Sequence, residues 1–479
     1  MQTKQSWMRG GLLAVMLGWC VGMQPAEAQY TVLHNFAGGA GDGANPRGSL
    51  TLSGSTIYGM TEFGGSGNTG VVFKINTNGA GFSILHNFGS DSGDGARPLG
   101  SLTLSGSMLY GAAQYGGSGN YGTLFQLDTN GAGYANLYSF MFSRGDGLLP
   151  CGSLTLSGST LYGTASVGGP NFGGTVFGIY TSGTSYTNLL NFLQPSIGPP
   201  GSSCSPHGSL TLSGSTLYGM TESGNLVDGT VFQVDTNGTG YAVLHTFHGS
   251  SGDGANPYGS LTLSGSTLYG MTSGGGSSGF GALFKIGANG DGYTVLHNFT
   301  GGTADGAYPY DSLTLSGSTL YGLTSGGGSS GFGTLFQIDT SGAGYTISHN
   351  FTGGTGDGAN PYGSLTLSGS TLYGMTKQGG SNDNGTVFAL TLSPLANVSH
   401  LNYGQRCYFT YSGNSYYAFI HDYSAGLQES ATPGFIGYNT YLTFNAQNPG
   451  PGTTIHVAYI YNTNVGRYTQ ALAVLHQGL

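Results

Sequence analysis

Charge is scarce in this chain: lysine, arginine, aspartate and glutamate make up 6% of its 479 residues. The 10 basic residues form no patch and the formal net charge is −9, which excludes nucleic acids and anionic membranes as expected partners. Long apolar runs are also lacking after the amino-terminal segment, so no membrane span is predicted beyond it.

Low charge together with 94 glycines is typical of disordered chains, but aromatic residues are plentiful here. The 32 tyrosines and 24 phenylalanines supply enough apolar surface for a core. The composition therefore predicts an all-β fold with many turns.

The amino terminus has the pattern of a secretory signal peptide. Lys4 and Arg9 precede an apolar run over residues 10–21, and the small residues Ala26 and Ala28 follow it. We expect residues 1–28 to be removed on export, which predicts a secreted or cell-surface protein.

Seven repeats fill the middle of the chain. Each contains four short strand-like runs separated by Ser-Gly-Ser, glycine-rich and Asn-Gly turns, the pattern of an antiparallel meander. The phrase Ser-Leu-Thr-Leu begins at Ser49, Ser101, Ser153, Ser209, Ser260, Ser312 and Ser364. Four strands repeating at about 50 residues predict the blades of a β-propeller.

The two ends of the array complement each other. The seventh repeat ends at residues 386–390 without a fourth strand, whereas an unattached strand, "YTVLHNF", occupies residues 30–36. Pairing the two removes an exposed sheet edge. We therefore predict a seven-bladed propeller over residues 29–392, closed by its amino-terminal strand.

The phrases "GSLTLSGSTLYGMT", "GTLFQIDTSGAGYT" and "GDGANPYG" carry a resemblance to a known family over residues 30–392. The chain resembles the GloVer-type tandem-repeat proteins, which implies a secreted bacterial protein of propeller form. That family brings no established activity or catalytic residues. A more distant similarity to kelch repeats implies a binding scaffold or, less often, an oxidase.

Two repeat positions vary on the face of the long loops. The position before the first strand reads Arg47, Leu99, Cys151, His207, Tyr258, Tyr310 and Tyr362, and is expected to surround the channel mouth. The position after the second strand reads Glu62, Gln114, Ser166, Glu222, Ser273, Ser325 and Lys377. We predict ligand binding by Arg47, Glu62, His207, Glu222, Tyr258, Tyr310, Tyr362 and Lys377. The alternative is free drift of loop residues.

Two other recurring residue types are given structural roles. The crossing loops between blades contain Asp42, Asp94, Asp146, Asp253, Asp305 and Asp357, each followed by glycine. Aspartate and glycine form turns, and one carboxylate per loop is too few for a calcium cage, so calcium is the weaker alternative and no cofactor is predicted. The outermost strands carry His34, His86, His245, His297 and His349. Leu190 stands at an equivalent position, which favours packing over catalysis.

No enzyme signature occurs in a fitting context. The favoured function is a non-enzymatic scaffold that binds an extracellular glycan or protein. The alternative is a polysaccharide hydrolase or lyase that uses acidic residues at the channel mouth. Glu62 and Glu222 are the candidates, but their blades face each other across the channel, which separates them widely.

Residues 393–479 break the repeat and contain eleven tyrosines. Runs at 406–411, 416–423, 441–444, 455–461 and 471–476 predict five strands of a small β-sandwich, whose aromatics either fill a core or stack on carbohydrate.

Three cysteines follow the signal peptide. Cys151 and Cys204 lie in neighbouring crossing loops, so a bridge between them is one alternative and unpaired thiols are the other. Cys407 lies in the carboxy-terminal region.

Overall fold

The structure is a computed structural model that describes residues 29–392, apart from 90, 92, 195–202, 250 and 251, and four strands within residues 406–477. The expected signal peptide lies outside the described residues. Among those described, no helix is both long and apolar enough to cross a membrane.

The prediction of a seven-bladed all-β propeller is confirmed. Each blade is a four-stranded antiparallel meander in which the strands run outward from the axis in sequence order. The innermost strands are Thr51–Ser53, Thr103–Ser105, Thr155–Ser157, Thr211–Ser213, Thr262–Ser264, Thr314–Ser316 and Thr366–Ser368. The second strands are Thr56–Thr61, Met108–Ala113, Thr160–Gly168, Thr216–Thr221, Thr267–Thr272, Thr319–Thr324 and Thr371–Gly379.

The outer half of each blade carries the bulkier side chains. The third strands are Val71–Asn76, Thr123–Asp128, Phe172–Tyr180, Thr230–Asp235, Ala282–Gly287, Thr334–Asp339 and Thr386–Thr391. The fourth strands are Ser83–Asn87, Ala135–Ser139, Thr187–Leu193, Ala242–Thr246, Thr294–Asn298 and Thr346–Asn350, with Gln29–Asn35 in the seventh blade. The segment between blades two and three, residues 140–154, includes the 3-10 turn Phe142–Arg144 and the strand Gly147–Pro150.

Short strands in the crossing loops pair with the chain that follows the second strand of the same blade. The isolated pairs are Gly43–Ala44 with Phe63–Gly64, Gly95–Ala96 with Tyr115–Gly116, Ser203–Cys204 with Ser223–Gly224, Gly254–Ala255 with Gly274–Gly275, and Gly306–Ala307 with Gly326–Gly327. In the third and seventh blades, Gly147–Pro150 and Gly358–Pro361 pair with the lengthened second strand. These pairs fix the long loops on one face.

The amino-terminal strand closes the ring. Gln29–Asn35 pairs antiparallel with Thr386–Thr391, in a register that places Tyr30 opposite Leu390. Phe36, the next residue, is fully buried. The seventh blade is thus completed by the start of the array.

Two continuous rings of hydrogen bonds join the innermost strands. The amide of each repeat serine donates to the hydroxyl of the next blade's serine, at 2.7–3.1 Å, through Ser49, Ser101, Ser153, Ser209, Ser260, Ser312, Ser364 and back to Ser49. The threonine two residues later donates to a leucine carbonyl of the next blade in all seven blades. The repeated Ser-Leu-Thr-Leu phrase therefore encodes contacts between blades.

Glycine precedes that phrase because neighbouring backbones touch there. A Cβ on Gly208 would lie 2.0 Å from the carbonyl oxygen of Gly259, and a Cβ on Gly48 would lie 2.1 Å from that of Gly100. The glycine of the second strand is required by the core: a Cβ on Gly270 would lie 2.5 Å from the ring of Phe284. A side chain at Gly48, Gly208 or Gly270 would therefore clash with its neighbour, whereas Asp311 stands at the position before the phrase in the sixth repeat.

The outer-strand histidines have structural roles, as the comparison of repeats predicts. His297 Nε2 lies 3.0 Å from Asp305 of the following crossing loop, and its ring stacks at 3.9 Å on Tyr345 of the next blade. Asp305 also accepts hydrogen bonds from the amides of Thr300 and Gly306. The same arrangement recurs at His34, His86, His245 and His349. We call each unit a clasp, since it joins a strand, a loop and the neighbouring blade.

The carboxy-terminal residues belong to a separate compact unit, which the contacts divide from residues 28–392 after Leu392. Its described strands, Arg406–Tyr411, Asn414–Ser424, Thr453–Asn462 and Arg467–Gln477, form one antiparallel sheet in sequence order. The strand expected at 441–444 and the second layer of a sandwich lie outside the described residues.

Candidate functional site

A cavity of ≈ 290 Å³ opens at the channel mouth on the face of the long loops. We call it the mouth cavity. Its rim is formed by all seven residues of the first varying position: Arg47, Leu99, Cys151, His207, Tyr258, Tyr310 and Tyr362. Glycines and serines of the innermost ring, with Asp311 of the sixth blade, line the rest. The floor is therefore nearly constant among blades, while the rim carries five residue types, with tyrosine in blades five to seven.

A proline directly precedes each rim residue, and the turn before that proline directs the rim residue to the axis. The seven residues that precede these prolines all have positive φ, between 51 and 57°: Asn45, Arg97, Leu149, Ser205, Asn256, Tyr308 and Asn360. Such a conformation disfavours L residues with large side chains, so its presence at Leu149 and Tyr308 indicates that the surrounding structure imposes it.

Four aromatic rings stack along one side of the rim. His207 stacks on Tyr258 with centroids 4.2 Å apart, and Tyr310 stacks on Tyr362 at 4.6 Å. Tyr258 and Tyr310 meet edge to face at 5.8 Å. Arg47 and Lys377 lie over the ring of Tyr362, at 5.1 and 5.4 Å from its centroid. We call these four rings the aromatic arc, and it ends at the two cationic side chains over Tyr362.

Each predicted glutamate is bound to a base of its own blade. Arg47 Nε donates to Glu62 Oε2 at 2.5 Å, and His207 Nε2 lies 2.9 Å from Glu222 Oε2. The partners are 15 residues apart in both blades, and this spacing is visible in the sequence. Glu62, Glu222 and Lys377 stand behind the rim residues rather than in the cavity lining. Each carboxylate is therefore held by a base of its own blade, whereas glycoside hydrolysis uses two carboxylates that act on one bond.

His207 also contacts a thiol. Its Nδ1 lies 3.4 Å from Cys151 Sγ, so Cys151 and Glu222 occupy the two nitrogens of one imidazole. Burial alone lowers the pKa of His207, but the charge and hydrogen bond of Cys151, with those of Glu222, outweigh it and raise the pKa to about 10. Burial, together with the negative charges of Cys151 and Glu222, raises the pKa of the Tyr258 phenol. The site therefore favours a protonated imidazole.

The bridge between Cys151 and Cys204 is not formed in the structure, which contains both as free, buried thiols. Cys151 points to the neighbouring rim position, where it meets His207. Cys204 lies in a short strand pair, where its sulfur is 3.4 Å from the Ser223 hydroxyl. The side chain of Cys407 lies outside the described residues.

Asp311 also lines the mouth cavity and was missed by the sequence analysis. It stands where the other six repeats have the ring glycine, a difference that alignment of the repeats reveals. Burial raises the pKa of its carboxyl, and hydrogen bonds from Ser312 and Ser364 offset this only in part. The ring therefore holds one carboxyl whose ionisation is disfavoured by burial.

The aspartates of the crossing loops act as turn formers, as predicted. Asp42, for example, accepts hydrogen bonds from the amides of Ala37 and Gly43 and from His34. Within the part of the chain that the structure describes, no three histidine, cysteine or acidic side chains are grouped to hold a metal ion.

Exposed aromatics on the long loops form a second feature that the sequence analysis missed. Phe142 stacks at 6.0 Å on Phe172 and lies 6.4 Å from Tyr121, and all three are at least one-third exposed. Phe332 occupies the loop position of Tyr121 in the sixth blade and is exposed as well. These residues add apolar surface to the face that carries the mouth cavity.

Comparison with solved structures gives the fold alone. The extracellular domain of BT4673 from B. thetaiotaomicron is 11% identical, with a TM-score of 0.50 over 95% of this chain and 60% of that one. An oligogalacturonate lyase in complex with manganese is 12% identical, with a TM-score of 0.47 over 77% of this chain and 97% of that one. The nidogen/laminin complex gives 15% identity and a TM-score of 0.36, over 57% and 86%.

Among curated proteins, none matches the chain significantly. The model of one family, the Gloeobacter/Verrucomicrobia repeat, matches residues 9–227 and 205–408, which together span most of the chain. The constant ring contacts described above correspond to the repeated phrases in both segments. This chain therefore belongs to the Gloeobacter/Verrucomicrobia repeat family.

Proposed function

We propose that this protein is an extracytoplasmic binding propeller that holds the end of a glycan in the mouth cavity. The observation that carries the proposal is the aromatic arc of His207, Tyr258, Tyr310 and Tyr362, which forms one side of a small cavity and ends at Arg47 and Lys377. Aromatic surface next to polar groups suits a sugar, whose C–H faces are apolar and whose rim bears hydroxyls.

The size of the cavity limits the ligand. Pockets for drug-sized molecules begin at about 300 Å³, so ≈ 290 Å³ accommodates one or two sugar rings rather than a folded protein. The exposed cluster of Tyr121, Phe142 and Phe172 offers a further surface for the rest of a glycan chain. The signal-like residues 1–28 support a location outside the cytoplasm.

A protein partner is the second candidate. The same exposed aromatics favour it, because residues of this type are enriched at protein interfaces. A polysaccharide hydrolase or lyase has less support, since Glu62 and Glu222 are each held by a base of their own blade.

A glycan array followed by calorimetry with the best ligand tests the proposal. Tyr310→Ala removes the middle of the arc and should weaken binding by about tenfold or more, because roughly 1.5 kcal/mol of aromatic contact is lost. Tyr180→Ala is the matched control, since Tyr180 is an exposed tyrosine at the end of a strand, beside a turn on the opposite face.

Equal affinity of the Tyr310→Ala and Tyr180→Ala variants would contradict a site in the cavity. Shortening of the bound glycan, followed by chromatography of the products, would replace the binding proposal with the hydrolase or lyase alternative.

A further inference from the structure

We infer that Cys151, His207 and Glu222 form a nucleophilic site that accepts an acyl group from a small carboxylic ester. This activity goes beyond glycan binding and does not depend on it. Sγ of Cys151 lies 3.4 Å from His207 Nδ1, and His207 Nε2 lies 2.9 Å from Glu222 Oε2. A nucleophile, a base and a carboxylate that orients the base are thus arranged in order.

The three residues come from two adjacent blades. Cys151 precedes the innermost strand of the third blade, whereas His207 and Glu222 lie at the two varying positions of the fourth. Because neighbouring blades place the same repeat position side by side, residues 56 apart in sequence come into contact. No other blade combines these residue types.

The contact with His207 matters because the thiolate is the reactive form of cysteine. The charged and titratable groups that face His207 are Cys151, Glu222 and the stacked Tyr258. Burial lowers the pKa of His207, but Cys151 and Glu222 outweigh it and raise the pKa to about 10, so the imidazole is protonated at neutral pH. A cation within hydrogen-bond distance of sulfur stabilises its negative charge.

A metal site fits this arrangement less well. Cys151 and Glu222 bind opposite nitrogens of one imidazole ring, so both cannot reach the same ion as His207. In a nucleophilic site, by contrast, His207 activates Cys151 through one nitrogen and is oriented by Glu222 through the other.

The cavity suits a small ester. Leu99 flanks Cys151 on one side of the rim and His207 flanks it on the other. An acyl group that packs on Leu99 therefore leaves the alcohol portion beside His207 and Tyr258. At ≈ 290 Å³ the cavity admits a small molecule and excludes a folded polypeptide.

The reaction proceeds in two balanced steps. The thiolate sulfur adds to the ester carbonyl carbon, the bond from that carbon to the alcohol oxygen breaks, and the alcohol leaves with the Nδ1 proton of His207. Water then adds to the thioester as Nδ1 takes one of its protons. The carbon–sulfur bond breaks, and the carboxylic acid and the original thiolate are released.

The test uses the full chain and p-nitrophenyl acetate. We expect a burst of one p-nitrophenolate per chain, with one acetyl group located on Cys151 by mass spectrometry. Cys151→Ala abolishes the burst. Cys204→Ala is the matched control and retains it, because Cys204 is also a buried free thiol but contacts only hydroxyls among the partners described for it.

Iodoacetamide labelling against pH gives an independent readout. At pH 6, Cys151 should react about 100-fold faster than Cys204, because an imidazole contacts the sulfur of Cys151 whereas hydroxyl groups contact that of Cys204. His207→Gln should remove this advantage and restore the ordinary thiol profile. Glu222→Gln should lower it, whereas Glu62→Gln, the same position in the first blade, should leave it unchanged.

Several outcomes would overturn the inference. A burst that survives Cys151→Ala, or one that is absent from the native chain, contradicts acyl transfer to this thiol. Equal labelling profiles of Cys151 and Cys204, including no labelling of either in the folded chain, contradict its activation by His207.

Discussion

Substitution of Phe36 tests whether the amino-terminal strand closes the ring. The residue is fully buried and packs edge to face on Phe73 of the first blade, with centroids 5.4 Å apart. Replacing a buried phenylalanine by alanine costs about 3–5 kcal/mol, because apolar contact is lost and a cavity remains. We expect Phe36→Ala to lower the free energy of unfolding by that amount.

Phe299 supplies a matched control within the same chain. It occupies the corresponding position of the fifth blade, is fully buried, and meets Phe336 at 5.4 Å in the same edge-to-face geometry. A closed ring has no end, so Phe36→Ala and Phe299→Ala should be equally destabilising. Urea denaturation of both variants, followed by circular dichroism, measures the comparison.

An open array would give a different result. Phe36 would then follow an unpaired segment, and its substitution would cost less than about 1 kcal/mol, as at an ordinary surface position. A small loss for Phe36→Ala beside a full loss for Phe299→Ala would refute closure.

Three further predictions concern the ring and the clasps. Gly208→Ala should destabilise strongly, since its Cβ would lie 2.0 Å from a backbone oxygen, whereas Gly302→Ala, with nothing within 4 Å, should be neutral in thermal melts. Hydrogen bonds from His297 and Tyr345 outweigh burial and lower the pKa of Asp305 to about 2. The ionised carboxylate therefore adds about 2 kcal/mol to the free energy of unfolding above pH 4, and this contribution is lost as the pH falls towards 2. Asp305→Asn should remove this acid sensitivity in denaturation measured against pH. For Asp311, burial raises the pKa, so the contribution of this residue to the free energy of unfolding falls as the pH rises above the ordinary aspartate pKa. Asp311→Asn should therefore stabilise the chain at pH 7 and make no difference at low pH. Destabilisation by Asp311→Asn at pH 7 would contradict that sign.

Local pattern was sufficient to predict the blades. Strand alternation, turn residues and a period near 50 residues are properties of short segments, so the closing strand is predicted at residues 30–36 and is found at Gln29–Asn35. The histidines were placed in packing because Leu190 substitutes for one of them, but the clasp partners could not be identified. Asp305 and Tyr345 meet His297 from a loop and from the next blade.

The candidate site was predicted only in outline. Repeat comparison selected the rim positions, and the structure places all seven around one cavity, though ligand binding there remains a prediction. The pairings at the rim were not identified. Cys151 was considered with Cys204 because both lie in crossing loops, whereas its contact is His207 at the equivalent position of the next blade.

The repeat, the number of blades and the closing strand follow from local propensity and from counting, so the amino-acid sequence is enough to predict them. The contacts between side chains of different blades are seen only in the folded ring: the serine and threonine rings, the clasps, and Cys151 beside His207. The physical reason is that ring closure brings each repeat position beside its equivalent some 50 residues away, and contacts across that gap depend on side-chain direction and blade spacing, which no local pattern specifies.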